Sequence, residues 1–237
     1  MKTRLENLAR GSTFQFADKK FVVLEHKDNG GTLVISPFDL ENRPFDTNNS
    51  ADWETSSLNE YLNGEYLEKL SAAAGKDNDA IWTHDLDLTA DDGTGRKTCD
   101  CVVGLLTADE YRRNRDVMPA IDAWWWWTAT RYSASNPYSM QVVRANGAWD
   151  NNYAHWGSGA VVPALNLNSN LVMDDGVEEE NKAASTEDSL HDNRDEFVTA
   201  LRPLLKHLHS KGYYDLTIEF RVSHNLTTLY EGSFDAE

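Results

Sequence analysis

Near the C-terminal end of the chain, Tyr214, Leu216, Ile218, Phe220 and Val222 alternate with Asp215, Thr217, Glu219 and Arg221. A period of two puts the apolar set on one face and predicts a half-buried strand. Ser223-His224-Asn225 then turns the chain into a second strand over Leu226–Tyr230. Just upstream the period lengthens. Phe197, Leu201, Leu204, Leu205 and Leu208 fall at helical spacing, with Lys206, His207, His209 and Lys211 in the last turns and Gly212 beyond them. Cations offset the dipole at a helix C-terminus and glycine ends it, so 197–237 reads as a helix followed by a β-hairpin.

The front of the chain carries shorter elements. Thr13–Phe16 and Lys20–Glu25 read as strands around Ala17-Asp18-Lys19, and Thr32–Ser36 as the next strand, after the turn signal Asp28-Asn29-Gly30-Gly31. Ser57-Leu58-Asn59-Glu60 is a capping box that opens a short helix with Leu58, Tyr61 and Leu62 as its stripe, ended or kinked by Asn63-Gly64. Ile81–Leu88 alternates loosely and Cys101–Leu106 is an apolar run, both strand-like. Thr107-Ala108-Asp109-Glu110 is a second capping box, and short strands and Gly/Asn turns alternate from Trp124 to Val161–Leu167.

Charge narrows the partners. The chain has 39 acidic against 22 basic residues, a net charge of -17, whereas phosphate binding needs a basic stripe. Nucleic acid and anionic membranes are therefore not expected partners. From Asp174 to Glu196 there are ten acidic and two basic residues, which reads as a solvated linker. The opening MKTRLENLARGS lacks an apolar signal segment and no run of 18 apolar residues occurs, so cytoplasmic synthesis is expected. Cys99 and Cys101, two apart on a strand, cannot easily pair and read as reduced thiols in or beside the core. His84 reads as a strand residue among solvated acids. Asp91-Asp92-Gly93 is rich in oxygen but lacks the spaced ligands of a calcium loop, so no metal site is expected. No Gly-x-Ser-x-Gly elbow, phosphate loop or His-Glu-x-x-His occurs, and no catalytic residue or cofactor is assigned.

One window departs from the rest. Between Trp124 and Leu167 the only acidic residue is Asp150 and there is no lysine. From Arg131 to Ser158, 13 of 28 residues are Tyr, Ser, Asn or Gly, with two Trp and two Arg among the others and no Leu, Ile or Phe, which rules against a core strand. Tyr and Trp give rigid contact area, while Ser, Asn and Gly give adaptable hydrogen bonds, the mixture that binding loops use. Alternation along Trp124–Trp127 predicts two tryptophans in the core and two near the binding face. Taken singly, Tyr132, Tyr138, Trp149, Tyr153 and Trp156 could be ordinary loop packing. Five together without aliphatic neighbours favour a contact surface.

The order of these elements resembles a family. Arg43-Pro44-Phe45, Trp53-Glu54-Thr55-Ser56-Ser57-Leu58 and Tyr61-Leu62-Asn63-Gly64-Glu65-Tyr66 are similar to the front half of a bacterial and phage domain of C-type lectin fold, related to the formylglycine-generating-enzyme type. Val102–Glu110 resembles its apolar run and acidic helix start, Trp124–Thr130 its tryptophan-rich strand, and Gly159–Leu165 its closing strand, with Val162 in place of an arginine. The match spans Gly11 to Leu167. The resemblance implies an α+β, C-type lectin-like domain over 1–170 with a variable region at 124–167; outside the match, charge and periodicity add an acidic linker at 171–196 and a helix-hairpin appendage at 197–237. Some members are the variable proteins of diversity-generating retroelements, in which adenine-directed copying errors change surface loops. Changing the two adenines of an Asn codon can give Tyr, Ser, Asp, His, Thr, Arg, Gly or Ala. Arg131, Tyr132, Asn136, Tyr138, Ser139, Arg144, Ala148, Asp150, Asn151, Asn152, Tyr153 and His155 all fit that set. With Trp149 and Trp156 they form the candidate ligand-binding surface.

The resulting expectation is a non-catalytic ligand-binding protein with a diversified surface, its ligand a protein or glycan. A homo-oligomer or a phage-particle partner would use the C-terminal unit, and any outside target would be reached as part of a virion or by a non-standard route. The alternatives are an enzyme or enzyme accessory with a fixed small-molecule or glycan site, and a structural phage protein whose aromatic patch is a subunit interface. The oxidase chemistry of the related type needs a reactive cysteine pair late in the fold. Cys99 and Cys101 lie before the tryptophan run, so that activity is not expected.

Overall fold

The structure, a computed structural model, describes residues 2–38, 40–174, 217–224 and 227–235. The chain divides into two units, Met1–Val177 and Glu178–Glu237. The fold is α+β, with short helices and small, mostly antiparallel sheets.

In the first unit, Thr13–Phe16, Lys19–His26, Gly31–Ile35 and Ala164–Asn168 lie side by side in one sheet, with Ile81–Trp82 at its far edge and Val103–Gly104 also paired to Ala164–Asn168. The first hairpin closes through Ala17 and Asp18, both at positive φ (50° and 57°), the geometry that matches strand twist in a tight turn. A second, five-stranded sheet has the order Trp149–Tyr153, Ser139–Arg144, Trp125–Arg131, Ala160–Val161, Glu41–Asn42. Its strand Trp125–Arg131 is covered on both faces. Trp125 and Trp127 pack edge to face with ring centroids 4.6 Å apart, and Phe45 lies 5.8 Å from Trp127 and 6.0 Å from Trp53. Trp126 points the other way, against Tyr111 at 5.4 Å. Three of the four tryptophans are therefore buried and only Trp124 is exposed, where alternation predicts two of each. The difference arises because the helix Ala108–Asn114 brings Tyr111 over the face that a one-sided sheet would leave open.

Five apolar residues of the front motifs, from Arg43 to Tyr66, are core residues. Phe45, Trp53, Leu58, Leu62 and Tyr66 are all buried in the cluster that holds Trp125 and Trp127. The helix that carries Leu58 begins at Ser57, as expected, but its cap differs. Ser56, not Ser57, is the cap, accepting from Asn59 N at 3.1 Å, while the Ser57 hydroxyl accepts from Thr47 N. Asn63-Gly64 kinks rather than ends it, through a π-turn at Leu62–Tyr66 that runs on into Leu67–Ala74. Asn63 gains a structural task there: its Oδ1 accepts from Val102 N and Val103 N, and its Nδ2 donates to Val103 O. The Thr107 capping box forms as predicted.

Pairing in the first unit extends past the predicted boundary at 170. Lys2–Arg4 pairs with Val172–Asp174, and Leu171 and Met173 are buried. In the second unit, Thr217–His224 and Thr227–Asp235 form an antiparallel hairpin. The first strand runs on through Ser223 and His224, which the sequence assigns to the turn, because a register shift after Val222 lets His224 pair with Thr227. The predicted helix at 197–211, with its Phe197, Leu201, Leu204, Leu205 and Leu208 stripe, lies outside the described residues, as does the acidic stretch from 175 onward. Among the described residues no helix is long and apolar enough to cross a membrane.

Candidate functional site

Strand direction decides where the candidate residues fall. The tryptophan strand ends at Arg131, the antiparallel middle strand begins at Ser139, and the outer strand ends at Tyr153, directly opposite Ser139. These three termini share one end of the sheet. Tyr132 N bonds Ser139 O at 3.0 Å and Ala154 N bonds Tyr138 O at 2.8 Å, which sets Tyr132, Tyr138 and Tyr153 together. Their exposures are 45, 53 and 51%, and Trp156, three residues on in a turn bonded to Tyr153 O, is 46% exposed. Large aromatic side chains left this open at adjoining positions are the feature of a contact surface rather than of a core.

Two loops stiffen this end. On one side the buried Asp46 carboxylate accepts from Asn48 N (3.0 Å), Ser50 N (2.8 Å) and Ser57 N (3.1 Å). Asn49, held at φ 62°, reaches from that loop to His155, accepting from its backbone N and lying 2.8 Å from its Nδ1. His155 in turn stacks on Tyr153 with ring centroids 6.0 Å apart. Asp46 N to Ala154 O and Ala51 N to Pro137 O complete the attachment. On the other side, Asp91 N bonds Arg131 O, Gln141 Nε2 bonds Asp91 Oδ2 at 2.6 Å, and Arg112 pairs with Asp91. Ala134 N bonds the Thr94 hydroxyl. Hydrogen bonds from Ser133 and from Thr94 hold the Asp92 carboxyl below the usual carboxylate range. The oxygen-rich Asp91-Asp92-Gly93 loop is thus a brace. Among the described residues no three metal-ligating side chains converge.

The candidate surface is divided. Arg131, Tyr132, Asn136, Tyr138, Asn152, Tyr153, His155 and Trp156 belong to the braced end and are exposed or half-exposed. Ser139 is buried there at the start of the middle strand, accepting from Asn136 Nδ2 at 3.2 Å, and offers no contact. Arg144, Ala148, Trp149 and Asp150 lie at the opposite end, about four residue rises along the outer strand, or ~14 Å away. Arg144 Nε bonds Asp150 at 2.8 Å, and Trp149 packs edge to face on Tyr111 at 5.2 Å with Arg112 over its ring. Asn151 sits between the two groups. Trp124, at 80% the most exposed aromatic among the described residues, joins the second end, its carbonyl bonded by Ala145 N.

Sequence reasoning missed a buried polar pair. His84 is fully enclosed and its Nε2 lies 2.8 Å from Glu110 Oε1, while Glu110 Oε2 accepts from Thr107 N. Burial alone would push the Glu110 carboxyl up, but the hydrogen bond and charge of His84 and the Thr107 N–H outweigh it and hold the group below the usual range. The visible signal was the capping box, whose Glu has a second oxygen to spend. Beside it Cys101 is buried, and burial first, with Cys99 and Glu110 adding to it, pushes its thiol up to about 12. Cys99 is half-buried and likewise raised.

No protein-family model, no curated protein and no solved structure matches the chain.

Proposed function

We propose that this chain is a non-catalytic ligand-binding protein that displays a diversified surface on a C-type lectin scaffold, the variable protein of a phage or bacterial diversity-generating retroelement. The lectin assignment rests on the order of motifs from Arg43 to Leu165. The binding assignment rests on one observation: three exposed tyrosines at one sheet end, above a core that does not depend on them. Eleven of the twelve adenine-accessible positions are exposed or half-exposed, Ser139 being the buried exception, which is the distribution that tolerated diversification requires. Hydrogen bonds accepted by Asp46, Asn49 and Asp91 brace the surrounding loops, so the side chains can change without the loops being rebuilt. Binding would draw on Tyr132, Tyr138, Tyr153, His155 and Trp156 as rigid anchors, with Asn136 and Asn152 as adaptable partners. The ligand class is protein or glycan.

The neighbouring DNA tests this reading. A near-copy of the codons for 131–155, differing at adenines and lying beside a reverse-transcriptase gene, is the expected result. A locus without such a copy leaves a fixed binding site or a subunit interface as the use of the aromatic end.

A further inference from the structure

The outer strand of the five-stranded sheet, Trp149–Tyr153, has a strand partner on one side only among the described residues. Its hydrogen-bond phase is fixed from both ends. Arg144 N bonds Ala148 O at 2.9 Å and Ala154 N bonds Tyr138 O at 2.8 Å, so, counting by twos, Asp150 and Asn152 carry the ladder to the middle strand. Trp149, Asn151 and Tyr153 therefore turn their main-chain N–H and C=O away from the sheet.

Past the strand this edge is closed, because His155 N, next in the same phase, donates to Asn49 Oδ1. Within the strand two outward groups are engaged locally. Asn151 N donates to Asp150 Oδ1 at 2.9 Å, and Tyr153 O accepts from Trp156 N at 3.0 Å. No described residue bonds the Tyr153 N–H, the Asn151 C=O or either main-chain group of Trp149. Asn151 and Tyr153 are exposed. Edges of this kind are templates for pairing, and proteins blunt them with lysine, proline or a bulge. Trp149–Tyr153 has none of the three, and its one charge, Asp150, is matched by Arg144 at 2.8 Å.

The pattern of free groups selects the guest. Antiparallel addition needs the N–H and C=O of one residue, and Asn151 and Tyr153 each have one of theirs taken. Parallel addition needs the C=O of one residue and the N–H two residues on, and Asn151 O with Tyr153 N is such a pair. An extended main chain offers the matching donor and acceptor on a single residue. Because Asp150 is neutralised by Arg144, charge complementarity asks for an uncharged segment. We infer that the ligand is a polypeptide that adds an extended, uncharged segment in parallel to Trp149–Tyr153, its residue opposite Asn152 donating to Asn151 O and accepting from Tyr153 N. The inference rests on the aromatic end being a ligand-binding surface, and it narrows the ligand class to protein. Such a segment would run ~14 Å along the strand and so meet both exposed groups of the candidate surface. Main-chain bonds would supply affinity that survives a change of side chain, with specificity left to the variable positions.

The probes are linear 12-residue peptides selected from a random display library against the full chain and then synthesised. Binders of micromolar Kd are expected. N-methylation scanned along a binder should weaken it at least tenfold at every second residue of the bound stretch and little at the residues between, since alternate N–H groups face the edge. A nitroxide at the peptide's N-terminus should broaden the Trp149 amide signal more than that of Tyr153, and one at its C-terminus the reverse. Tyr153→Pro should bind at least fivefold more weakly than Tyr153→Ala, because proline removes the outward N–H and no ladder bond. If the proline variant does not fold, the N-methyl scan on the parent chain still decides. A library without binders, glycans bound where peptides are not, N-methyl effects without the period of two, the opposite nitroxide order, or equal binding by the folded proline and alanine variants would overturn the assignment. Each of these can occur at a locus that carries the template repeat, so failure here is distinct from failure of the diversification reading.

Discussion

Tyr153 stands directly opposite Ser139 on the outer ladder of the five-stranded sheet, yet the tyrosine is 51% exposed and the serine 3%. The pair marks where scaffold gives way to surface. Inward from this rung the sheet buries Met140, Val142, Trp127 and Trp125; outward from it stand Tyr138, Tyr132 and His155.

That boundary predicts a contrast in stability. Tyr132→Ala, Tyr138→Ala and Tyr153→Ala should each change the free energy of unfolding by no more than about 0.5 kcal/mol, as surface substitutions do. Trp127→Ala should cost about 3–5 kcal/mol, because it empties a fully buried site and frees the Arg43 carbonyl that the indole N–H now satisfies at 2.8 Å. Urea unfolding curves of the four variants check this. Comparable losses in both groups would mean that the tyrosines are structural.

Gly159 is confined by the same tryptophans. A Cβ there would overlap the Trp125 ring and Trp127 Nε1, and both rings are held in the core. Gly159→Ala should destabilise by about 1–3 kcal/mol through overpacking, although alanine is the smallest possible change. A thermal melt within a degree of the parent would show that the rings can move aside.

Asp46 gives a local prediction. Its carboxylate serves three backbone N–H groups, so Asp46→Asn should raise hydrogen exchange at Asn48, Ser50 and Ser57. Because Asn49 carries His155, exchange at His155 N should rise with them. Protection that stays unchanged at His155 would uncouple the loop from the surface.

Glu110 sets an acid limit. Its ordinary value is 4.5 and its value in the fold is lower, so the unfolded chain binds the proton more readily. The associated stabilisation is complete above pH 4.5 and is lost as pH falls through the folded value. Glu110→Gln keeps an acceptor for Thr107 N but removes the charge, and should flatten the decline of stability as pH falls below the ordinary value of 4.5. Parallel declines in parent and variant would show that the His84–Glu110 pair has no such role.

Much of the fold was legible because local chemistry fixes it. The Ala17-Asp18 turn, the Thr107-Glu110 box and the Asn63-Gly64 kink each depend on residues within a few positions of one another. What was not legible depends on contacts distant in sequence. Trp126 is buried because Tyr111 reaches it from another element, and His84 is enclosed because Glu110 arrives 26 residues later. The candidate surface was read as one window, since a linear window cannot show that antiparallel strands carry Arg144–Asp150 and Tyr132–Tyr153 to opposite sheet ends. Ser139 fitted the codon pattern and composition alike, and only its burial at the start of the middle strand, with Asn136 bonded to it, sets it apart.

Sequencing this gene across many isolates of its source tests the central claim most directly. Diversification predicts substitutions concentrated at adenine-containing codons of the exposed positions, above all 132, 136, 138, 152, 153 and 155, with Trp125, Trp127, Asp46 and Gly159 constant. Invariance at those six codons, or substitutions spread evenly over buried and exposed positions, would contradict it.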